Sequence, residues 1–111
     1  MCIFCKIINK EIPAQVVYED DDLLSFKDIS PKAKNHVLVI PKKHISSLNS
    51  LQNEDVSLYG KMLVVGANIA KSLEMENSGY RFIINCGSDA GMEVDHLHLH
   101  ILGGEKLSGL N

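Results

Sequence analysis

The heptapeptide HLHLHIL, from His96 to Leu102, alternates histidine with aliphatic residues and carries most of the fold prediction. In a β-strand, successive side chains point to opposite faces, so the three histidines share one face and the aliphatic residues share the other. We predict a strand over residues 94–104, with its aliphatic face packed on a helix and its histidine face turned to a ligand.

Three imidazole rings spaced about 7 Å apart on one strand face favour chemistry over a solvated polar surface. One interpretation is metal chelation, because an H-x-H pair on a strand can hold one ion and a third histidine can complete the set. The other is nucleophilic catalysis by a ring that is largely neutral at cytosolic pH. Gly87 and Gly91 before the strand and Gly103-Gly104 after it allow backbone amides to approach phosphate oxygens. The residues alone leave both interpretations open.

The rest of the chain predicts an α+β fold with an antiparallel sheet of about five strands, one short helix and one long helix. Most connections are too short for parallel crossovers. Turn-forming Gly, Pro and Asp residues separate the predicted elements. In chain order these are a helical turn over residues 3–8, strands over 14–19, 23–28 and 36–41, a helix over 53–76, and strands over 80–87 and 94–104.

The long helix is predicted to begin at an Asn53 N-cap, to run to Glu76, and to stop at Asn77-Ser78-Gly79. Its segment Met62–Val65 is apolar on every side, which one sheet does not cover. Two explanations stay open, a second side buried against a partner subunit or a wide stripe buried inside a monomer.

Composition describes an ordinary globular protein of 111 residues with 45% hydrophobic and 23% charged residues, read as one domain over residues 1–111. Eleven basic and 14 acidic residues give a formal charge of −3, which argues against nucleic-acid and anionic-membrane partners. The chain has no membrane-length apolar run and no signal layout at its N-terminus, so a cytoplasmic location is expected.

Three cysteines make a disulfide framework unexpected and leave the C-x2-C pair Cys2 and Cys5 to explain. A redox pair normally follows a strand inside a βαβ unit, and no strand precedes this one, so metal is favoured over redox chemistry. Free thiols in a short helical turn are the competing interpretation. Cys86 is expected to be a small buried hydrophobic residue.

These residues resemble the histidine triad (HIT) superfamily, because HLHLHIL matches its His-φ-His-φ-His-φ-φ signature. The surrounding GSDAGMEVDHLHLHILGG, residues 87–104, is similar to the Hint-type branch. The stretch from Cys2 to Leu48 resembles the N-terminal half of Hint-type nucleoside phosphoramidases.

The resemblance implies an α+β homodimer, joined through the long helix and a strand, that binds a purine nucleoside 5′-monophosphate group. It implies hydrolysis of P–N bonds in nucleoside phosphoramidates through a nucleotidyl-histidine intermediate, with no catalytic cofactor. In this reading His98 is the nucleophile, His100 contacts the phosphate and assists the leaving group, and His36 supports them.

The resemblance also implies the remaining site residues. The nucleotide site combines an apolar base pocket, a ribose-binding carboxylate and groups beside the phosphate: Ile7, Ile12, Phe26, Ile29, Asp28, Asn85, Glu93 and Val94. Some family members that begin with C-x-x-C hold a structural Zn²⁺, and here its ligands would be Cys2, Cys5, His44 and His96. Purely structural alternatives are that Asp28 caps a turn, that Phe26 belongs to the core, and that Asn85 hydrogen-bonds to loop backbone groups.

The chain departs from the family pattern beside the phosphate. Ala90-Gly91-Met92 replaces a frequent Gly-Gly-Gln, and Glu93 stands where animal members have serine, so a backbone N–H is expected to serve there. Asp95 replaces a frequent aromatic residue, and the short tail EKLSGLN lacks tryptophan, which bears on leaving-group preference. The alternative functions are a metal-dependent enzyme built on the histidines and a non-catalytic nucleotide-binding module.

Overall fold

A single antiparallel five-stranded sheet organises the chain, in a computed structural model that describes residues 2–109. The strand order is β1-β2-β3-β5-β4, so the predicted α+β class and strand count are confirmed. In chain order the elements are α1 (Ile3–Ile8), β1 (Val16–Glu19), β2 (Leu23–Lys27), β3 (Asn35–Pro41), α2 (Val56–Ser72), β4 (Tyr80–Ile83) and β5 (Leu99–Gly103).

The two faces of the sheet pack against different helices, because side chains alternate between the faces along each strand. The odd-numbered residues of β2, β3 and β5 face α2 and form the larger core with Met62, Val65 and Ile69. The even-numbered residues face α1, where Leu24, Phe26, Leu38 and Ile40 pack with Phe4. His100 pairs with Leu38 across β3 and β5, so it lies on the α1 face. As predicted, the aliphatic positions between the histidines pack on the long helix.

The long helix is shorter than predicted at both ends. Residues Asn53–Asp55 form a 3₁₀ turn, with the Gln52 N–H donating to the Asp55 carboxylate at 2.9 Å, so α2 starts at Val56. It ends at Ser72 because Glu74 adopts a φ of 62° and turns the chain toward β4. Of the apolar run, Met62 and Val65 enter the core whereas Val64 is 63% exposed.

The strand predicted over residues 94–104 is also shorter than expected, by five residues at its start. Only Leu99–Gly103 pairs in the sheet, because the Leu97 N–H donates to the carbonyl of Ile45 in a loop, at 2.7 Å. His96 and His98 therefore precede the strand. β4 likewise ends at Ile83 rather than at residue 87, and Cys86 beyond it is half-buried rather than buried. Within residues 2–109, no helix combines the length and the apolar character needed to cross a bilayer.

The packing at the end of β5 yields a stability prediction. A Cβ at Gly103 would lie 2.5 Å from the Met75 sulfur and 3.2 Å from the Gly79 carbonyl oxygen. Gly103→Ala is expected to lower the free energy of unfolding by about 1–3 kcal/mol. At Gly60 of α2 a Cβ meets nothing within 4 Å, so Gly60→Ala is expected to raise it by about 0.5–1 kcal/mol. Urea denaturation of the two variants checks both signs, and equal shifts would contradict the packing.

Candidate active site

A cleft of about 550 Å³ lies between α1, the even-numbered face of the sheet and the loop that follows β4. It brings together every residue assigned to the nucleotide or to catalysis from the sequence. These are Ile7, Ile12, Phe26, Asp28, Ile29, His36, Asn85, Glu93, Val94, His98 and His100. Its volume falls within the range of about 300–1,000 Å³ that is common for small-molecule sites.

Further lining residues were missed from the sequence. Leu38 and Leu102 were within reach, because each lies two residues from a site histidine on the same strand face. The others lie on α1, at the last residue of β2 or β4, or in loops, where periodicity does not identify them: Ile3, Phe4, Lys27, Ile83, Pro13, Ala14, Ser30 and Lys32. Gly91, which was already expected to lie near phosphate oxygens, also lines the cleft.

His98 presents one ring nitrogen to the cleft with its lone pair. Its Nδ1 lies 2.6 Å from the carbonyl oxygen of His96, and since that oxygen only accepts, Nδ1–H is the donor. In the neutral ring, Nε2 then carries the lone pair. The side chain is 6% exposed, and the Phe4 ring stands edge-on to it with 5.2 Å between centroids. This is the tautomer in which Nε2 can act as the nucleophile.

His100 presents the opposite group, an N–H. The Lys32 backbone N–H donates to His36 Nδ1 at 3.0 Å, so the proton of neutral His36 is on Nε2. His36 Nε2 lies 2.9 Å from His100 Nδ1 and donates to it, which leaves the His100 proton on Nε2. This chain of hydrogen bonds thus sets the His100 tautomer from the backbone of the β2–β3 loop.

Both rings of this pair are neutral near pH 7. Burial, together with the neighbouring His98 and His36 rings, lowers the pKa of His100 to about 4. Burial also lowers the pKa of His36, which the charge of Asp28 partly offsets. An anion bound in the cleft would act in the opposite direction, since an opposite charge nearby favours the imidazolium.

Asp28 caps a turn and also lines the cleft. Its Oδ1 accepts the Ser30 N–H at 2.7 Å and so caps the turn after β2. Its Oδ2 lies 3.5 Å from His36 Nε2 at the side of the cleft. Phe26 is likewise both core and lining, being 4% exposed and packed on Phe4.

The loop after β4 narrows the set of amides that could face a phosphate. Gly87 and Gly91 have φ of 87° and 85° and enclose a 3₁₀ turn. The Gly91 N–H donates to the Ser88 carbonyl at 3.0 Å and the Met92 N–H to the Gly87 carbonyl at 3.1 Å. Because these two amides are used inside the turn, the Glu93 and Val94 amides are the candidates that remain in residues 91–94 to face a phosphate.

A second group of side chains lies beside the cleft, at the junction of α1, the loop after β3 and the segment before β5. The ligand atoms of Cys2, Cys5, His44 and His96 all lie within 4.8 Å of one another. The four sulfur–nitrogen distances are 3.3–3.7 Å, and the two Nδ1 atoms are 3.1 Å apart. A tetrahedral zinc with bonds of about 2.3 Å to sulfur and about 2.0–2.1 Å to nitrogen has edges of about 3.3–3.8 Å. The cluster therefore fits a four-coordinate zinc.

The surroundings prepare these side chains as ligands. His96 Nε2–H donates to the Pro41 carbonyl at 2.8 Å, so its Nδ1 lone pair points to the two sulfurs. Burial also lowers the pKa of His96. The His44 loop is fixed by neighbouring Lys43, which donates to the buried Asp55 carboxylate at 2.7 Å. Burial raises the pKa of the Cys5 thiol, and neighbouring Cys2 raises it further. A bound cation would lower this pKa again, because it stabilises the thiolate.

A smaller set of potential ligands lies within the cleft itself. Asp28, His36 and His100 each offer an atom within 4.8 Å of the others. Two imidazoles and one carboxylate can hold a metal with open positions. In this structure the same atoms form the hydrogen-bonded chain described above.

The chain matches, over residues 1–110, the family model described as scavenger mRNA decapping enzyme C-term binding. It is similar to Protein HitA of Neisseria gonorrhoeae, with 50% identity over 102 residues that cover 92% of this chain and 94% of HitA.

Solved structures agree with this match. The HIT family hydrolase from Legionella pneumophila Philadelphia 1 superposes with a TM-score of 0.95 at 44% identity, covering 97% of this chain and 96% of that one. The histidine triad nucleotide-binding protein from Candida albicans gives 0.82 at 33% identity, covering 100% and 86%. The chain therefore belongs to the histidine triad (HIT) family.

Proposed function

We propose that this single-domain protein hydrolyses the P–N bond of purine nucleoside 5′-phosphoramidates, as a Hint-type member of the family. The observation that carries the proposal is the opposed tautomers of two neighbouring histidines, whose ring centroids are 4.9 Å apart. His98 offers a lone pair and His100 offers an N–H, the two groups that a nucleotidyl transfer with a poor leaving group requires. The two similar proteins of known structure, a HIT family hydrolase and a histidine triad nucleotide-binding protein, support the same class of function.

In the first step, the Nε2 lone pair of His98 forms a bond to the α-phosphorus while the P–N bond breaks. The leaving nitrogen takes the bond electrons and a proton from Nε2 of His100, which is an imidazolium in the complex because a proton enters with the substrate, and His100 is left neutral. The modified His98 ring carries positive charge, which its Nδ1–H shares with the His96 carbonyl 2.6 Å away. The charge on the phosphate oxygens is met by the amides of Glu93 and Val94 and by Asn85, in the manner of an oxyanion hole.

In the second step, water attacks phosphorus and gives its proton to His100 Nε2, now unprotonated. The P–Nε2 bond breaks, and its electron pair returns to His98. Ile7, Ile12, Phe26 and Ile29 hold the base, and Asp28 takes the ribose hydroxyls through the oxygen that is not used in the turn. Each step is a displacement at phosphorus for which positioned donors and a nucleophile suffice.

We propose that Cys2, Cys5, His44 and His96 hold a structural Zn²⁺. Four protein ligands complete a tetrahedral shell, which is typical of structural rather than catalytic zinc. The ion supplies a cross-link between distant parts of the chain and no step of the reaction.

A proton must enter the cleft with the substrate, because His100 is neutral in the free protein. Its pKa of about 4 rises when a phosphate anion binds, so binding at pH 7 is expected to take up protons rather than release them. Calorimetric titration with the methyl ester of AMP, an anion without a proton to exchange near pH 7, measures this in buffers of different ionisation enthalpy. His100→Asn is expected to reduce the uptake, and an unchanged uptake would remove His100 from this role.

A homodimer is part of the proposal. β4 is an edge strand whose Tyr80 is 38% exposed, and α2 exposes two more apolar side chains, Val56 at 70% and Val64 at 63%. Exposed apolar side chains of this kind favour association between copies. Sedimentation at micromolar concentration is expected to give twice the chain mass, and Val64→Glu, a charge on that face, to shift it toward the monomer. A wild-type monomer would refute the dimer.

Turnover of adenosine 5′-phosphoramidate to AMP, followed by chromatography, tests the activity directly. We expect hydrolysis that is unaffected by minutes of exposure to EDTA, with elemental analysis showing that the cysteine-held ion is retained. AMP binding without turnover would instead indicate a binding module.

A metal-dependent hydrolase is the second candidate, favoured by the proximity of Asp28, His36 and His100. A metal at this set would replace the proton between the two histidines. Stimulation of turnover by added Mn²⁺ or Zn²⁺, and its rapid loss in EDTA, would favour this function. Inhibition or no effect is expected for the histidine mechanism.

A further inference from the structure

The Cys2–Cys5–His44–His96 cluster, named here the cysteine–histidine cluster, lies beside the cleft without lining it. Two short paths nevertheless join it to His98. One runs through the backbone of His96 and the other through the side chain of Phe4.

The backbone path begins at a cluster residue. The carbonyl of His96 accepts the His98 Nδ1–H at 2.6 Å, the contact that assigns the lone pair to Nε2. Residues 96–98 lie before β5, so no sheet ladder fixes this carbonyl. The segment is held instead by the Leu97 N–H on the Ile45 carbonyl at 2.7 Å and by the two ring nitrogens of His96. The cluster accounts for one of those two nitrogens.

The side-chain path runs through α1. Phe4 lies between Cys2, the N-cap of α1, and Cys5 in its first turn, and is 7% exposed. The centroid of its ring lies 5.2 Å from that of His98, with an angle of 85° between the ring planes, and 5.6 Å from that of Phe26. Phe4 therefore packs directly against the imidazole. A helix of six residues is not stable alone and depends on tertiary contacts. Its cysteines supply such contacts on either side of Phe4.

We infer that the cysteine–histidine cluster positions the reactive ring, holding His98 in its Nδ1–H tautomer through the His96 carbonyl and against Phe4 through α1. Its members are then positioning residues for His98, although none of them touches the substrate. The inference rests on the proposed function in taking His98 as the nucleophile. A cluster that served stability alone would leave the His98 ring unchanged when it is opened in a chain that stays folded.

His44 allows the sharpest test, because it is exposed, lies outside the cleft and belongs to the cluster. His44→Ala removes one ligand, whereas His44→Cys restores a Cys₃His set that zinc accepts. Both proteins are dialysed against a chelator weak enough to leave wild-type zinc in place. The measurements are zinc per chain, the ¹⁵N shifts of the His98 ring, and kcat and KM for adenosine 5′-phosphoramidate.

We expect His44→Ala to lose zinc, to show averaged Nδ1 and Nε2 shifts at His98, and to lose about 100-fold in kcat with KM changed less than about threefold. His44→Cys is expected to restore zinc, the separated ¹⁵N shifts and kcat. A folded, zinc-free His44→Ala protein with the wild-type ¹⁵N pattern would overturn the inference.

Phe4→Leu isolates the second path and guards against misfolding of the ligand variant. It keeps all four ligands and an apolar side chain, so zinc is expected to stay at the wild-type level while kcat falls and the His98 resonances broaden. A wild-type kcat and His98 spectrum in Phe4→Leu would remove Phe4 from the inference. If wild-type protein does not hydrolyse the phosphoramidate, the proposed function fails, whereas the ¹⁵N shifts still decide whether the cluster fixes the His98 tautomer.

Discussion

Replacing His98 with asparagine is expected to abolish hydrolysis of adenosine 5′-phosphoramidate, with a loss of about 10⁴-fold or more in kcat. Asparagine can still donate to the His96 carbonyl, which the Nδ1–H of His98 reaches at 2.6 Å. It offers no lone pair of imidazole basicity to phosphorus. The loss therefore reports the nucleophile and not the fold around it.

Trapping the covalent intermediate is a second test of the role of His98. Quenching wild-type turnover in alkali is expected to trap AMP on a peptide that contains His98, through a P–N bond that is stable in base. His98→Asn is expected to trap none and to bind AMP normally. Residual turnover in His98→Asn close to the wild-type rate would exclude covalent catalysis at this residue.

His100→Asn is the matched control for this experiment. It retains the nucleophile but removes the N–H that serves the leaving nitrogen. We expect slow formation of the adduct with the phosphoramidate, and much faster formation with a substrate whose leaving group needs no proton, such as AMP p-nitrophenyl ester. Equal impairment with both substrates would assign His100 to phosphate binding alone.

The order of elements was predictable from local signals. The bounds of α1, residues 3–8, are those expected from the sequence. Pro31, the acidic turn at residues 20–22 and the glycine-rich loop at 87–91 separate the strands as their chemistry suggests. The aliphatic alternation at Leu97, Leu99 and Ile101 also correctly indicates the face that packs on α2.

The three histidines show where strand periodicity stops being informative. The alternation places them on one face, yet His96 and His98 lie outside β5 and only His98 and His100 line the cleft. The cause is tertiary, since the Leu97 amide bonds to the Ile45 carbonyl of a distant loop rather than to a neighbouring strand. No pattern within residues 94–104 encodes that partner.

The tautomers of the histidines could not be predicted from the sequence either. The His100 tautomer depends on the backbone N–H of Lys32, four residues before His36, and the His98 tautomer depends on a main-chain carbonyl. Main-chain groups carry no residue signature, so only coordinates show which of them face a ring. For the same reason, the use of the Gly91 and Met92 amides inside a turn was not foreseen.

Removing both cysteines of the cysteine–histidine cluster is expected to have the largest effect on stability. Elemental analysis of wild-type protein purified without chelator is expected to show about one zinc per chain, as a closed four-ligand site holds one ion. Cys2→Ser/Cys5→Ser is expected to show almost none, because a neutral hydroxyl is a poor substitute for a thiolate ligand.

The size of the effect follows from the cross-link that the ion makes. The cluster joins residues 2 and 5 to residues 44 and 96, so it closes loops of about 40 and about 90 residues. Covalent links around loops of that length contribute about 4 kcal/mol, and we expect a similar loss in the free energy of unfolding of the double variant. Wild-type protein stripped of metal should show the same loss.

Cys86→Ser provides the matched control, since Cys86 lies outside the cluster and is half-buried. It is expected to keep its zinc and to unfold within about 1 kcal/mol of wild type. Hydrogen exchange is expected to localise the effect of the double variant in the amides of α1, because that helix of six residues cannot hold its own structure once its cysteines are released. A metal-free wild-type protein with full stability and a protected α1 would show that these four side chains meet without an ion.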